Sequence, residues 1–167
     1  MDAEAKKIAL RMIPYGLYVL TAEGRDGKAG GAAVTWVTQA SFDPPLVAAA
    51  VRAGSLIHAL VEEGGAFALN VLGKGQQAMA NRFFKAGERE GETIGGEPFR
   101  RGVTGVPILE TTPAFLECRV VETVKRGDHT IFVGEVVDAG VVRRPEGRPD
   151  DATLWVRDVG EKIYYGG

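Results

Sequence analysis

Residues 35–46 read TWVTQASFDPPL, and the reading of this stretch decides how the rest of the chain is arranged. It begins inside an apolar run with Val34, Trp36 and Val37, and then collects hydroxyl and amide groups at Thr35, Thr38, Gln39 and Ser41. It closes on Phe42, Asp43, Pro44 and Pro45. Proline fixes its own φ and holds the residue before it extended, so the segment enters the next strand in one restricted geometry. A strand over 32–38 therefore carries a row of small hydrogen-bonding groups along one edge. Such a row matches the polar rim of a planar heterocycle, with Trp36 and Val37 supplying apolar packing. It reads equally as a threonine-rich edge strand followed by a stiff turn.

Outward from this stretch the chain is mostly short strands. LVAAAVR (46–52), GLYVLTA (16–22) and AFALNVL (66–72) are apolar runs of strand length, and EGRDGKAGG (23–31) reads as a turn. Segments 115–124 and 131–137 alternate with period two, Leu116, Cys118 and Val120 against Glu117 and Arg119, as half-buried strands do. KRGDH (125–129) is the turn between them, and a last strand is expected over 154–157. Helices are expected over 3–12, 55–63 and 76–84, and the glycine- and charge-rich stretch 85–105 as a long loop. Many strands on short connections with few helices predict an antiparallel barrel with peripheral helices.

Bulk properties narrow the function. A chain of 167 residues is most simply one domain, spanning 1–167. Twenty basic residues against 22 acidic ones leave a net charge of −2, so no electropositive field argues for nucleic acid or an anionic membrane. Nothing approaches the roughly 18–20 apolar residues of a membrane span. MDAEAKKIALRM at the start is charged and lacks an apolar signal core, which points to a cytoplasmic protein. The lone Cys118 excludes an internal disulfide and reads as a buried small hydrophobe.

Three short segments could carry chemistry. In VRAGSLIH (51–58) a strand ends at Arg52 and Ser55 stands where a helix begins. Free N–H groups there, with Arg52 beside them, suit a phosphate; a serine-capped helix with a solvated arginine is the plainer alternative. NRFF (81–84) sets Asn81 and Arg82 beside Phe83 and Phe84, a combination suited to a phosphate and a flat ring, although the helix dipole and the core account for the same residues. His129 sits on a turn behind Asp128, able to donate a hydrogen bond or adjust charge near neutral pH. His58, among leucines on a helix, reads as a packed residue. No HExxH, CxxC, P-loop, GxGxxG or GxSxG pattern is present, so a metal centre is not expected.

In order along the chain, IPYGLYVLTA (13–22), GGAAVTWVTQASFDPPLVAAAV (30–51), SLIHALVEEGGAFALNVL (55–72), MANRFF (79–84), FLECRVVETVKRGDHTIFVGEVVDA (115–139) and IYYGG (163–167) resemble the flavin reductase-like family of FMN-binding split barrels. The first of the two most specific blocks, TWVTQASFDPPLV, is also similar to the flavin reductase module fused to some flavodiiron proteins. The other is GDHTIFVGEV. The resemblance implies a mainly β, Greek-key barrel that forms a homodimer, with FMN, or alternatively FAD, near the subunit interface. It places Thr35, Trp36, Val37 and Thr38 along the isoalloxazine, and Ala40 and Ser41 near its polar edge or the ribityl chain. Arg52 and Ser55 would hold the phosphate, where the family often has Lys-Ser and this chain has RAGS. Asn81, Arg82, Phe83 and Phe84 would close over the ribityl end. His129 would look onto the flavin and the nicotinamide as the catalytic residue, with Tyr164 and Tyr165 covering the site.

The activity implied is hydride transfer from NADH or NADPH to flavin N5. The protein's work is then to stack two rings and stabilise the reduced flavin. A flavin-dependent monooxygenase or another redox partner would stand downstream. An FMN-bound electron carrier of the flavoredoxin kind, fed by a partner protein, is the alternative, and a flavin-binding protein without redox turnover is a third reading.

Overall fold

Alternating side chains build the scaffold, and in a computed structural model describing residues 1–166 the strands join into one antiparallel sheet. The strands are β1 (Tyr18–Glu23), β2 (Ala29–Val34), β3 (Val37–Ser41), β4 (Leu46–Arg52), β5 (Ala66–Val71), β6 (Gly87–Glu90), β7 (Thr93–Ile94), β8 (Glu97–Arg101), β9 (Pro107–Leu109), β10 (Ala114–Lys125) and β11 (His129–Val141). Their order across the sheet is β3-β4-β11-β10-β5-β1-β2-β6-β7-β8-β9. The helices are α1 (Ala3–Arg11), α2 (Leu56–Gly64), α3 (Gln77–Phe83) and the single turn α4 (Val156–Val159), with a 3-10 turn at Pro149–Ala152.

The first seven strands of that order curl around one core. Leu20 of β1, Val47 and Val51 of β4, Phe67 and Leu69 of β5, Cys118 of β10 and Phe132 of β11 meet inside it. Ile57, Leu60 and Val61 of α2 complete the same cluster, so the amphipathic helix seals one end of the barrel. Ser55 caps its start, its Oγ accepting from the His58 N–H, and Gly65 ends it at φ 69°. At Gly134 of β11 an added Cβ would lie 2.7 Å from the Phe67 ring, so glycine is what lets this strand close on the core. A second cluster packs α3 and α4 outside the sheet through Met79, Phe83 and Val156, against Leu17, Val19 and Ile94. The expected antiparallel barrel with peripheral helices is thus the architecture found.

Three expectations are corrected. Residues 85–105 are not a loop: β6, β7 and β8 extend the sheet from β2 through short antiparallel pairs. The strand expected over 154–157 is a pair of isolated bridges at Thr153 and Trp155 followed by α4. The strand expected over 32–38 is broken between β2 and β3, and the gap is occupied by Thr35 and Trp36.

Glu117 also departs from its reading as a solvent-facing residue, being fully buried. The outer face of β5 and β10 is covered by the excursion through β8 and β9, where Val106 and Ile108 pack on Ala66, Ala68 and Phe115. The Glu117 carboxylate lies under the turn joining those two strands. It accepts from the Val103 N–H at 2.9 Å and from the Thr104 N–H and hydroxyl at 2.5 Å each. Asn70 fastens the same excursion, accepting from the Leu109 N–H at 2.8 Å and donating to the Val19 carbonyl at 2.9 Å.

Cys118 faces the barrel interior, as expected of a buried small hydrophobe. Burial, with the Glu117 charge adding to it, pushes its thiol up to about 12. Native protein is therefore expected to show no reaction with an aromatic disulfide reagent, and one thiol per chain after denaturation. Labelling of the native protein at the rate of a free thiol would contradict this burial.

Candidate functional site

The site follows from the break between β2 and β3. β2 pairs with β1 along its whole length, but its other edge meets β6 only at Gly30 and Gly31. The following residues 32–34 face β4 across a seam where the two strands approach without pairing. The chain leaves β2 through Thr35 and Trp36, a tight turn closed by the Val37 N–H on the Thr35 carbonyl at 3.0 Å, and re-enters the sheet as β3 against β4. A cleft of about 450 Å³ opens in the seam. Ala32, Ala33, Val34 and Thr35 form one wall, and Ala50, Val51 and Arg52 the other. Alanines on both walls leave the flat relief that a planar group requires.

At one end β4 finishes at Arg52. Ala53 donates to the Asp128 carbonyl at 2.9 Å, Gly54 turns the chain at φ 76°, and Ser55 caps α2. Both readings of Ser55 meet here, because the capping residue itself lines the cleft. Its hydroxyl donates to the Arg52 carbonyl at 2.8 Å and so ties the helix start to the strand end. Arg52 is exposed and has no ion-pair partner among the described residues.

An aromatic group stands at the adjoining corner. The Trp36 ring lies 4.5 Å from that of His129 and 5.1 Å from that of Tyr165, with Tyr15 further out at 6.4 Å. His129 is opposite Arg52 in the β4–β11 register. The Asp128 carboxylate can only accept, so His129 Nδ1–H donates to it at 2.7 Å. His129 Nε2 lies 2.7 Å from the Tyr165 hydroxyl. The hydrogen bond from His129 and the imidazole's charge hold the Asp128 carboxyl below its ordinary range. Burial raises the Tyr165 phenol, opposed by the Arg52 charge. Two polar atoms here lack a partner among the described residues: Thr35 Oγ1 and Trp36 Nε1 are buried and unbonded. A buried polar group without a partner costs about 1–3 kcal/mol, which a bound ligand can recover.

Of the residues singled out in the sequence, the cleft gathers Thr35, Arg52, Ser55, Phe84, Tyr164 and Tyr165. Trp36 and His129 stand beside it. Val37 and Thr38 line a separate groove with Ile13, Ala48 and Ile131. Ala40 and Ser41 lie at the far end of β3, where Ser41 pairs with Leu46, away from the cleft lining. Asn81 is exposed outside that lining. Arg82 is taken by an ion pair with Glu97, whose other oxygen accepts from the Thr111 hydroxyl at 2.6 Å. Phe83 is 1% exposed and belongs to the second core. His58 is packed as expected, its Nε2 2.8 Å from the Thr130 hydroxyl and its ring against Phe132. Cleft residues that the sequence reading missed include Ile57, Ala86, Val156 and Ile163, apolar side chains with no local pattern to mark them.

Comparison with known proteins gives the same picture from another side. A family model described as flavin reductase like domain matches residues 10–161. Diflavin flavoprotein A 1 of Synechocystis sp. is 34% identical over 148 residues, covering 88% of this chain and 25% of that protein. The ferric-chelate reductase (NAD(P)H) of Archaeoglobus fulgidus is 36% identical over 148 residues, covering 87% and 85%. The chain thus spans a quarter of the first relative's length and most of the second's. Among solved structures, the styrene monooxygenase flavin reductase of Pseudomonas putida S12 superposes with a TM-score of 0.69 at 31% identity, covering 84% of this chain and 88% of that one.

Proposed function

Because the chain belongs to the flavin reductase-like domain family, whose model spans most of it, we propose that it is an NAD(P)H:flavin oxidoreductase that works on FMN held in the β2–β4 seam. The observation that carries this reading is a buried Thr35 Oγ1 in the cleft wall and an Arg52 at the cleft's end, neither of them with a hydrogen-bond or ion-pair partner for its side chain among the described residues. A flat polar-edged ring joined to a phosphate answers both. The cleft's alanine walls accept that ring, and its apolar lining from Val34, Ile57 and Phe84 keeps water away from it. FMN, when bound, supplies the hydride-accepting centre that no side chain of this protein offers.

The chain's own residues bind and orient. Arg52 and the N-terminal turn of α2 hold the phosphate, the helix contributing unpaired N–H groups and the positive end of its dipole. Thr35 offers its hydroxyl to the ring's polar edge. His129, locked by Asp128 in one tautomer, presents Nε2 toward the second ring's position, and Trp36 backs it. Ala40, Ser41, Asn81 and Phe83 take no part in this arrangement. A homodimer belongs to the same proposal, supported by the apolar groove that Ile13, Trp36, Ala48, Ala50 and Ile131 leave open on the outer face. So does a cytoplasmic setting, supported by the absence, among the described residues, of any helix long and apolar enough to cross a membrane. A flavin-dependent monooxygenase or a ferric chelate as final electron acceptor follows the chemistry of the relatives.

The test is anaerobic. Protein loaded with FMN is mixed with NADH and then NADPH, and the visible flavin band is followed. Rapid bleaching by one of them is the expected outcome. A bound flavin that neither nucleotide reduces, yet a reduced electron-transfer protein does, would replace the reductase with a carrier.

A further inference from the structure

Residues 163–165 line the cleft and are held there mainly by side chains. Among the described residues their one backbone–backbone bond is the turn bond from the Ile163 N–H to the Gly160 carbonyl at 3.0 Å. Beyond it, Tyr165 bonds His129, and the Arg11 guanidinium stacks over the Tyr164 ring at 4.6 Å. Arg11 Nε also donates to the Gly166 carbonyl at a long 3.4 Å. Tyr164 and Tyr165 remain 55% and 45% exposed. Exposed contacts of this kind are individually weak, so the segment can lift at low cost without disturbing the barrel.

What it covers is specific. His129 Nδ1 is committed to Asp128, which leaves Nε2 as its one nitrogen for a ligand, and Tyr165 occupies it. Trp36 Nε1 is buried without a partner among the described residues, and Gly166 lies against the same indole, close enough that a Cβ there would be 3.4 Å from Cζ2. Lifting the segment releases an imidazole nitrogen and an indole N–H on rings 4.5 Å apart, beside the cleft. An acceptor and a donor side by side match a flat ring that bears an amide, its N–H groups to His129 and its carbonyl to Trp36. The Tyr165 phenol, a flat ring with one polar group, holds part of that place.

We infer that residues 163–166 are an intrachain occupant of the second-ligand position, with Tyr165 competing for His129 against the amide-bearing ring of the nicotinamide cosubstrate. This rests on the reductase reading above. A position filled by the chain itself reduces apparent affinity in proportion to the fraction of molecules in which it is vacated. Removing the phenolic hydroxyl takes away one hydrogen bond and raises that fraction by about two- to tenfold.

The experiment uses FMN-loaded wild type, Tyr165→Phe and Tyr165→Ala. The NADH concentration that half-saturates anaerobic bleaching is expected to fall about two- to tenfold in Tyr165→Phe and at least as far in Tyr165→Ala. A second readout needs no nicotinamide. The chain has two histidines, so the ring resonances of His129 are separable by NMR, and they are expected to move in Tyr165→Phe. Bleaching with an unchanged or raised NADH requirement in both variants overturns the inference and leaves the reductase standing. His129 resonances identical in wild type and Tyr165→Phe overturn it as well. Absence of bleaching in wild type and variants alike overturns the reductase reading, and the competition falls with it.

Discussion

Arg52→Ala is expected to raise the dissociation constant of FMN by about ten- to a hundredfold, the weight of a charge-assisted contact of about 1.5–3 kcal/mol. The side chain is exposed at the strand end and has no ion pair among the described residues, so its loss leaves no carboxylate unpaired. The melting temperature without flavin should therefore hardly move. Titration followed by quenching of flavin fluorescence reads the change, and riboflavin, which lacks the phosphate, is the control. If the loss is the phosphate contact, riboflavin binding changes much less than FMN binding. Equal losses for both ligands would mean that Arg52 shapes the cleft and does not hold the phosphate. Arg82 is the natural comparison, since its guanidinium is already engaged by Glu97. Arg82→Ala should act on stability more than on FMN.

Glu117→Ala is expected to cost about 3 kcal/mol or more of folding stability. The carboxylate is fully buried and accepts three hydrogen bonds from the turn between β8 and β9, two of them from backbone N–H groups with no other partner among the described residues. A hydrogen bond to a charged group contributes about 1.5–3 kcal/mol, and three are lost together. At this chain length that is a drop in melting temperature of about 6–12 °C. Glu117→Gln keeps one good acceptor and should lose less. Urea unfolding of the two variants checks the order. A loss below about 1 kcal/mol in Glu117→Ala would show that the turn is fastened by the Asn70 contacts and the apolar packing beneath it.

The sequence reveals most where local pattern and burial agree. Leu46–Arg52 and the paired strands β10 and β11 are apolar or alternating runs bounded by turn residues, and the structure keeps them, extending the last two. The excursion over 85–105 was hidden because its strands are two to five residues long and rich in charge. Their pairing depends on an edge of β2 that no local window contains. Glu117 was misread for a related reason: alternation reports which residues share a face, and it cannot say whether another segment covers that face. At the site, Arg52, Ser55 and Thr35 were legible because each carries a chemical group at a strand end or helix start. Phe83 and Phe84 are adjacent and alike in sequence, yet one is core and the other lines the cleft. Helical geometry separates them by about 100°, and only the packing of α3 says which points where. Ala86, Ile57 and Val156 give no signal at all, since a wall is made by position and not by chemistry.

The place that Phe83 fills has its own logic. Its ring lies in a notch where three glycines converge from two different strands and a turn: an added Cβ would sit 3.2 Å from the ring at Gly31, 3.5 Å at Gly87 and 2.9 Å at Gly95. A methyl group at Gly95 would overlap the ring and sit at φ 55°, one at Gly31 would press on the ring and on Thr21 Cγ2 at 3.0 Å, and one at Gly87 would meet the Gly95 backbone at 3.0 Å, while a smaller ring would leave a void. The four positions therefore constrain one another as a set. Over evolutionary time they are expected to change together or not at all, and Gly31, in the strand that walls the cleft, binds the history of the site to that of a helix which lends it one phenylalanine.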